Sequence, residues 1–144
     1  MAGNNLLLLE KIPDTTRFIR DIERTIWRYE EALEHNLPVS FVKIHLIDYL
    51  SFENTNVARC IYEIAMKKTV EKGGVEILAS AAANYFLLFN RLEEWQEYYD
   101  QDNVEKQKKI VEEVKKISYK LEWFNGWLSK EIEALKARDD FLKI

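Results

Sequence analysis

Apolar residues recur at alternating steps of three and four from Val75 to Tyr99, which is the spacing that turns one face of a helix towards its neighbours. The pattern therefore predicts a long central helix. Other apolar residues flank this seam as far as Phe89, so we expect that half of the helix to be buried nearly all round. The seam comprises Leu78, Ala81, Tyr85, Leu88, Leu92, Trp95 and Tyr99, and a narrow polar strip comprises Glu76, Ser80 and Asn84.

The same spacing predicts four further helices, at about 14–35, 40–50, 57–72 and 104–138, with a Gly73-Gly74 turn leading into the central helix. The second of them is apolar on more than one side, so we expect it to be well buried. The last keeps its seam in register across Asn125-Gly126, which favours one long helix over a turn at this pair. The predicted fold is an all-α helical bundle of four to five helices with a long C-terminal helix.

Composition agrees with one domain over 1–144, in which the N-terminal segment 1–13 and the tail 139–144 are peripheral. The 144 residues include only 4 Gly and 2 Pro, which favours long helices over a turn-rich β fold. The net charge of −4 argues against coating DNA through bulk charge. We expect no membrane span, because no apolar stretch approaches the roughly 20 residues that a bilayer requires. The single cysteine, Cys60, favours a reducing, intracellular setting, so we expect a cytoplasmic protein.

The last helix carries large aromatic residues that point away from its seam. Tyr119, Trp123 and Trp127 follow one another at steps of four, and Lys116, Lys120 and Lys130 surround them. Three explanations compete. Another part of the chain, such as Leu6–Leu9 or the tail, covers the row; the row is a protein–protein interface; or it is a platform on which single-stranded nucleic acid stacks.

A second candidate surface lies on the first helix, opposite its core stripe. Four arginines fall within an arc of about 80°, and an exposed aromatic residue beside them would suit phosphate binding with base stacking. Asp21 and Glu31 occupy the same arc, which instead favours a solvated face with intrahelical ion pairs. The candidate residues are Arg17, Arg20, Arg24, Trp27 and Arg28.

Catalytic and metal-binding residues are sparse. His35 and His45 are the only histidines, and neither follows a glutamate at the spacing that di-iron bundles use, so we expect no metal or cofactor. Cys60 is the only cysteine, which excludes an intrachain disulfide and a cysteine-based zinc site. Its place on an apolar stripe predicts a packed thiol of low reactivity.

Arg28 and His35 are separated by six residues and share one helix face. This spacing resembles the Arg-His motif of the HEPN family of helical ribonucleases, and the resemblance implies RNA cleavage by these two residues. It departs from the family at Tyr29, where a polar residue is usual.

Taken together, these patterns predict a non-catalytic interaction or assembly subunit that forms a homo-oligomer or binds a protein partner through Tyr119, Trp123 and Trp127. No small-molecule substrate is inferred. The alternative is an accessory subunit that binds RNA or single-stranded DNA, and a minor alternative is the HEPN-like ribonuclease. The nucleic-acid surface would consist of Arg17, Arg20, Arg24, Trp27, Arg28, Lys116 and Lys120.

Overall fold

The computed structural model describes residues 7–53, 57–67 and 72–142, and within these ranges it contains five helices longer than a single turn and no strand. The predicted all-α bundle with a long C-terminal helix is confirmed. The helices are α1 (Thr16–Glu34), α2 (Phe41–Glu53), α3 (Val57–Met66), α4 (Lys72–Asp100) and α5 (Val104–Leu142).

The helices form a bundle in which α1, α4 and α5 are three long members and α2 and α3 together form the fourth. Helix α1 runs antiparallel to α5, since Thr15 at its start contacts Asn125 and Tyr29 near its end contacts Gln107. Helices α4 and α5 pack side by side and are joined by a tight turn at 101–103. The fourth member consists of two short helices: α2 packs on α1 and α4, and α3 packs chiefly on α4.

Helix α1 follows its predicted pattern. The predicted stripe is buried at four positions and partly buried at Leu33; the buried residues are Ile19, Ile22, Ile26 and Tyr29. The helix ends where the sequence indicated, because Asn36 adopts the left-handed conformation (φ 55°) that asparagine tolerates. The amide of Leu37 then donates to the carbonyl of Ala32 at 2.8 Å and closes the last turn.

The expectation that the second helix is well buried is wrong. Val42, Leu46 and Tyr49 of α2 enter the core, whereas Ile44 and Ile47 are 66% and 62% exposed. Because α2 contacts the bundle along only one side, its second apolar side is left in solvent.

The boundary between α3 and α4 also differs from the prediction. Helix α3 ends at Met66, and Gly73 and Gly74 lie inside the first turn of α4. The prediction of a turn at Gly73-Gly74 is therefore wrong, and the end of the predicted third helix, 68–71, lies outside the described residues.

Helix α4 buries its predicted seam from Leu78 to Trp95, with Tyr99 partly buried, but it does not bury its whole first half. Phe86 is 51% exposed and Leu87 is 38% exposed, so the expectation of burial nearly all round is wrong. Helix α5 covers one side of α4, and α2 and α3 cover another, which leaves the back of α4 in contact with solvent.

Helix α5 is continuous through Gly126 and runs on to Leu142, past the predicted end near Arg138. At the other end of the chain, Leu9 and Ile12 are buried in the core, and Glu10 forms an ion pair with Lys136 at 3.4 Å. The described part of the N-terminal segment, 7–13, thus packs on the bundle ahead of α1.

Candidate functional site

The structure divides the predicted aromatic row on α5. Tyr119 is 75% exposed and Trp123 is 60% exposed. Trp127 is partly buried against the core, and its ring stacks on that of Phe124 with 6.0 Å between centroids. The described part of the N-terminal segment leaves Tyr119 and Trp123 exposed. The alternative that the tail 139–144 covers the row concerns side chains outside the described residues.

Tyr119 and Trp123 border a groove of about 550 Å³ between α4 and α5. Its floor is apolar, with Ala81 and Phe124 buried. The opposite wall is the polar strip predicted on α4, Glu76, Ser80 and Asn84. The groove therefore combines aromatic rings, an apolar floor and hydrogen-bonding side chains.

Charged residues surround the two rings. Lys120 lines the groove opposite Glu76, and Lys116 and Lys130 are exposed on the same helix. We call the exposed surface of α5 that lies opposite its seam the outer face. It comprises Lys109, Glu112, Lys116, Tyr119, Lys120, Trp123, Gly126, Lys130 and Glu133.

Ion pairs attach α5 to both neighbouring helices. Arg91 of α4 pairs with Glu94 at 2.7 Å and also contacts Glu113 of α5. Lys115 of α5 donates to Glu30 of α1 at 2.6 Å, and this hydrogen bond is the main reason that the pKa of Lys115 is raised. Such exposed pairs contribute little to stability. The direction of the outer face follows from the buried seam on the opposite side of α5, which includes Ile117, Leu121 and Phe124.

The arginine stripe on α1 is split between two grooves. Arg17, Arg24 and Arg28 line a groove between α1 and α2, which also contains Asp14, Asp21, Asp48 and His45. Arg20 instead lines the groove between α1 and α5, beside Glu122. Trp27 is 63% exposed and lines neither groove.

Arg28 and His35 are both exposed, and His35 is the residue that closes the C-terminus of α1. The thiol of Cys60 donates to the carbonyl of Lys11, with 3.8 Å between sulfur and oxygen, and burial raises its pKa. That environment disfavours a reactive thiolate. Within the described ranges, no group of three or more His, Cys, Asp or Glu residues could hold a metal ion.

Sequence reasoning missed an interacting pair of carboxyl groups, Glu23 on α1 and Glu122 on α5. Burial raises the pKa of Glu23 to about 7, assisted by the hydrogen bond and the negative charge of Glu122. The two residues lie on different helices, 99 positions apart in the sequence, and no pattern along either helix connects them.

The interior offers no alternative ligand site among the described pockets. A cavity of about 30 Å³ lies between α1, α2, α4 and α5, lined mainly by apolar side chains such as Ile22, Leu46 and Trp95. This volume is close to that of one water molecule, so an organic ligand would not fit. The larger recesses are grooves on the surface.

None of the helices in the described ranges has the length and hydrophobicity that crossing a bilayer demands. Comparison with protein-family models, with curated proteins and with solved structures found no match to this chain.

Proposed function

We propose that the protein is a non-catalytic helical assembly subunit that binds another protein chain through the outer face of α5. The observation that carries the proposal is the exposure of Tyr119 and Trp123, at 75% and 60%, one helical turn apart. Tyrosine and tryptophan are common anchors of protein interfaces because they bury a large area and lose little side-chain entropy.

The adjoining groove supports the same function. A partner side chain entering it would contact the apolar floor formed by Ala81 and Phe124 and could hydrogen-bond to Ser80 or Asn84 on the wall. Apolar floors with polar rims are the usual composition of specific interfaces. The buried seam on the opposite side of α5 holds the face in place, so binding would require little ordering of α5.

Site-specific photo-cross-linking in expressing cells tests the proposal. Tyr119 is replaced by a benzophenone amino acid, and the matched control carries the same replacement at Trp27, which is 63% exposed on α1. We expect a discrete protein adduct from position 119 and none from position 27. Equal patterns from both positions, or no adduct at 119, would overturn the proposal.

A second candidate function is binding of single-stranded nucleic acid on the same face. It is favoured by Lys116 and Lys120, which flank two exposed rings on which bases could stack. Binding of a single-stranded RNA oligomer that weakens steeply with salt, and is lost in Lys116→Glu/Lys120→Glu, would favour this candidate. Absence of RNA binding at low salt would remove it.

A further inference from the structure

The outer face of α5 is complementary to itself. When two identical helices pair antiparallel about a two-fold axis, residues at equal distances before and after the axis meet each other. Tyr119 lies two positions before Leu121, and Trp123 lies two positions after it. With the two-fold axis at Leu121, Tyr119 of each copy would therefore meet Trp123 of the other. Both rings are exposed and available for this contact.

Four of the charged residues on the face obey the same symmetry. Glu112 and Lys130 lie nine positions before and after Leu121, and Lys109 and Glu133 lie twelve positions before and after it. Each pair would therefore place opposite charges together, twice per dimer. Glu112 accepts a hydrogen bond from Lys115 at 3.2 Å but keeps 62% of its side chain exposed, so it stays accessible to Lys130.

A shifted axis loses this complementarity. With the axis at Trp123, Lys116 and Lys130 would meet at seven positions on either side, which places like charges together. Tyr119 would then meet Trp127, which already packs against its own core. The charges and the burial therefore both favour an axis at Leu121 over one at Trp123.

Gly126 supplies an independent argument. Gly126 lies far from both ends of α5 and is exposed to solvent. A Cβ atom added there would meet nothing within 4 Å, so packing within the chain does not require glycine. Glycine is unfavourable in a helix compared with alanine. In the symmetric pair Gly126 meets Lys116 of the second copy, five positions on either side of Leu121, and the missing side chain allows the two backbones to approach.

We infer that the partner bound by the outer face is a second copy of this chain, paired through antiparallel α5 helices about a two-fold axis at Leu121. The inference rests on the proposed function, because it names the occupant of the same face. It also assigns Glu112, Lys130, Lys109 and Glu133 to the interface and Gly126 to its close approach.

Analytical ultracentrifugation of the purified full-length chain over a wide concentration range tests the inference. We expect a species of twice the 17.2 kDa chain mass at high concentration. Trp123→Ser should weaken dimerisation on the order of thirty-fold, as the loss of an interface anchor does. Gly126→Leu should weaken it as well, because the added side chain separates the two helices.

A charge exchange tests the register. Glu112→Lys places like charges at two symmetric sites and should weaken the dimer about ten-fold, whereas adding Lys130→Glu to it should restore the affinity. Glu93→Lys, an equal charge change at an exposed position of α4, is the control and should leave dimerisation unchanged. Thermal melts by circular dichroism verify that each variant is folded.

The outcomes separate this inference from the proposed function. A chain that is monomeric at every concentration, yet cross-links from position 119 to a different protein, overturns the second copy and leaves the proposed function standing. A monomeric chain without any cross-link overturns both. The assigned interface is overturned if Trp123→Ser leaves the dimer affinity unchanged. It is also overturned if Lys130→Glu does not restore the affinity that Glu112→Lys has lowered.

Discussion

The hydroxyl of Thr15 connects three helices, because it accepts a hydrogen bond from the phenol of Tyr85, 70 positions later, and donates one to Oδ1 of Asn125 at 3.0 Å. Thr15 and Tyr85 are both fully buried. The direction of the first bond follows from the second, since the amide oxygen of Asn125 can only accept. The start of α1 is therefore fixed against the middle of α4 and of α5 by a polar contact inside an apolar core.

Thr15→Val should destabilise the fold by about 2 kcal/mol, because the buried Tyr85 hydroxyl and the partly buried Asn125 amide oxygen would each lose a hydrogen-bond partner. Tyr85→Phe should cost less, about 1 kcal/mol, because it removes one of the two polar groups together with the bond. Urea denaturation followed by circular dichroism measures both. Tyr62→Phe, at a ring that is 49% exposed, is the control, and a Thr15→Val protein as stable as the original would show that the contact contributes nothing.

The carboxyl pair of Glu23 and Glu122 predicts a pH dependence of stability. Burial and the Glu122 interaction raise the pKa of Glu23 from 4.5 to about 7, so the folded state binds more protons than the unfolded state between these pH values. A raised carboxyl pKa contributes stability that is complete below the unfolded pKa and is lost as pH rises through the folded pKa. This contribution should therefore decline from about pH 4.5 to about pH 7.

Glu23→Gln should remove that decline. At pH 8 the variant should be more stable than the wild type by on the order of 1 kcal/mol, a modest value because the groove admits solvent, and at pH 5 the gain should be smaller. Urea denaturation at both pH values measures the difference, with Glu93→Gln on the exposed side of α4 as the control. An equal gain at the two pH values would contradict the assignment.

Periodicity along single helices was sufficient to predict the fold. The seams of α1, α4 and α5 were identified because their apolar residues occupy one face, and a face of that kind has to be buried in a helical bundle. Periodicity failed for α2, where apolar residues occupy two faces. The burial of Leu46 and the exposure of Ile47 depend on the position of the neighbouring helices, which the local sequence does not encode.

The sequence also did not predict which polar residues occupy core positions. Thr25, Gln107 and Ser118 are buried, although their residue types are more often exposed. Gln107 is accommodated because it accepts from the Tyr29 hydroxyl at 2.9 Å and donates to the carbonyl of Tyr98 at 3.3 Å. Each partner lies on a different helix or across a turn, so only the assembled bundle identifies the contact.

Only part of the candidate site was predicted correctly, because helix geometry separates residues that are four positions apart. The step of four placed Tyr119, Trp123 and Trp127 in one row, but such a row drifts around the helix by about 40° at each step. The drift brings Trp127 towards the side that faces α4, where it stacks on Phe124. Only Tyr119 and Trp123 remain open.

This drift predicts different roles for the two tryptophans. Trp127→Ala should lower the free energy of unfolding by about 2 kcal/mol, less than the loss of a fully buried ring, because Trp127 is only partly buried against the core. Trp123→Ala should change that free energy by less than about 0.5 kcal/mol when measured at a concentration where the chain is monomeric, since a ring that is 60% exposed contributes little packing. Association through the outer face should show the reverse order, with Trp123→Ala the more damaging change. Chemical denaturation of dilute protein and sedimentation of concentrated protein measure the two effects separately. If Trp123→Ala destabilised the dilute chain as much as Trp127→Ala, the ring would belong to the core, and the outer face would lose its main anchor.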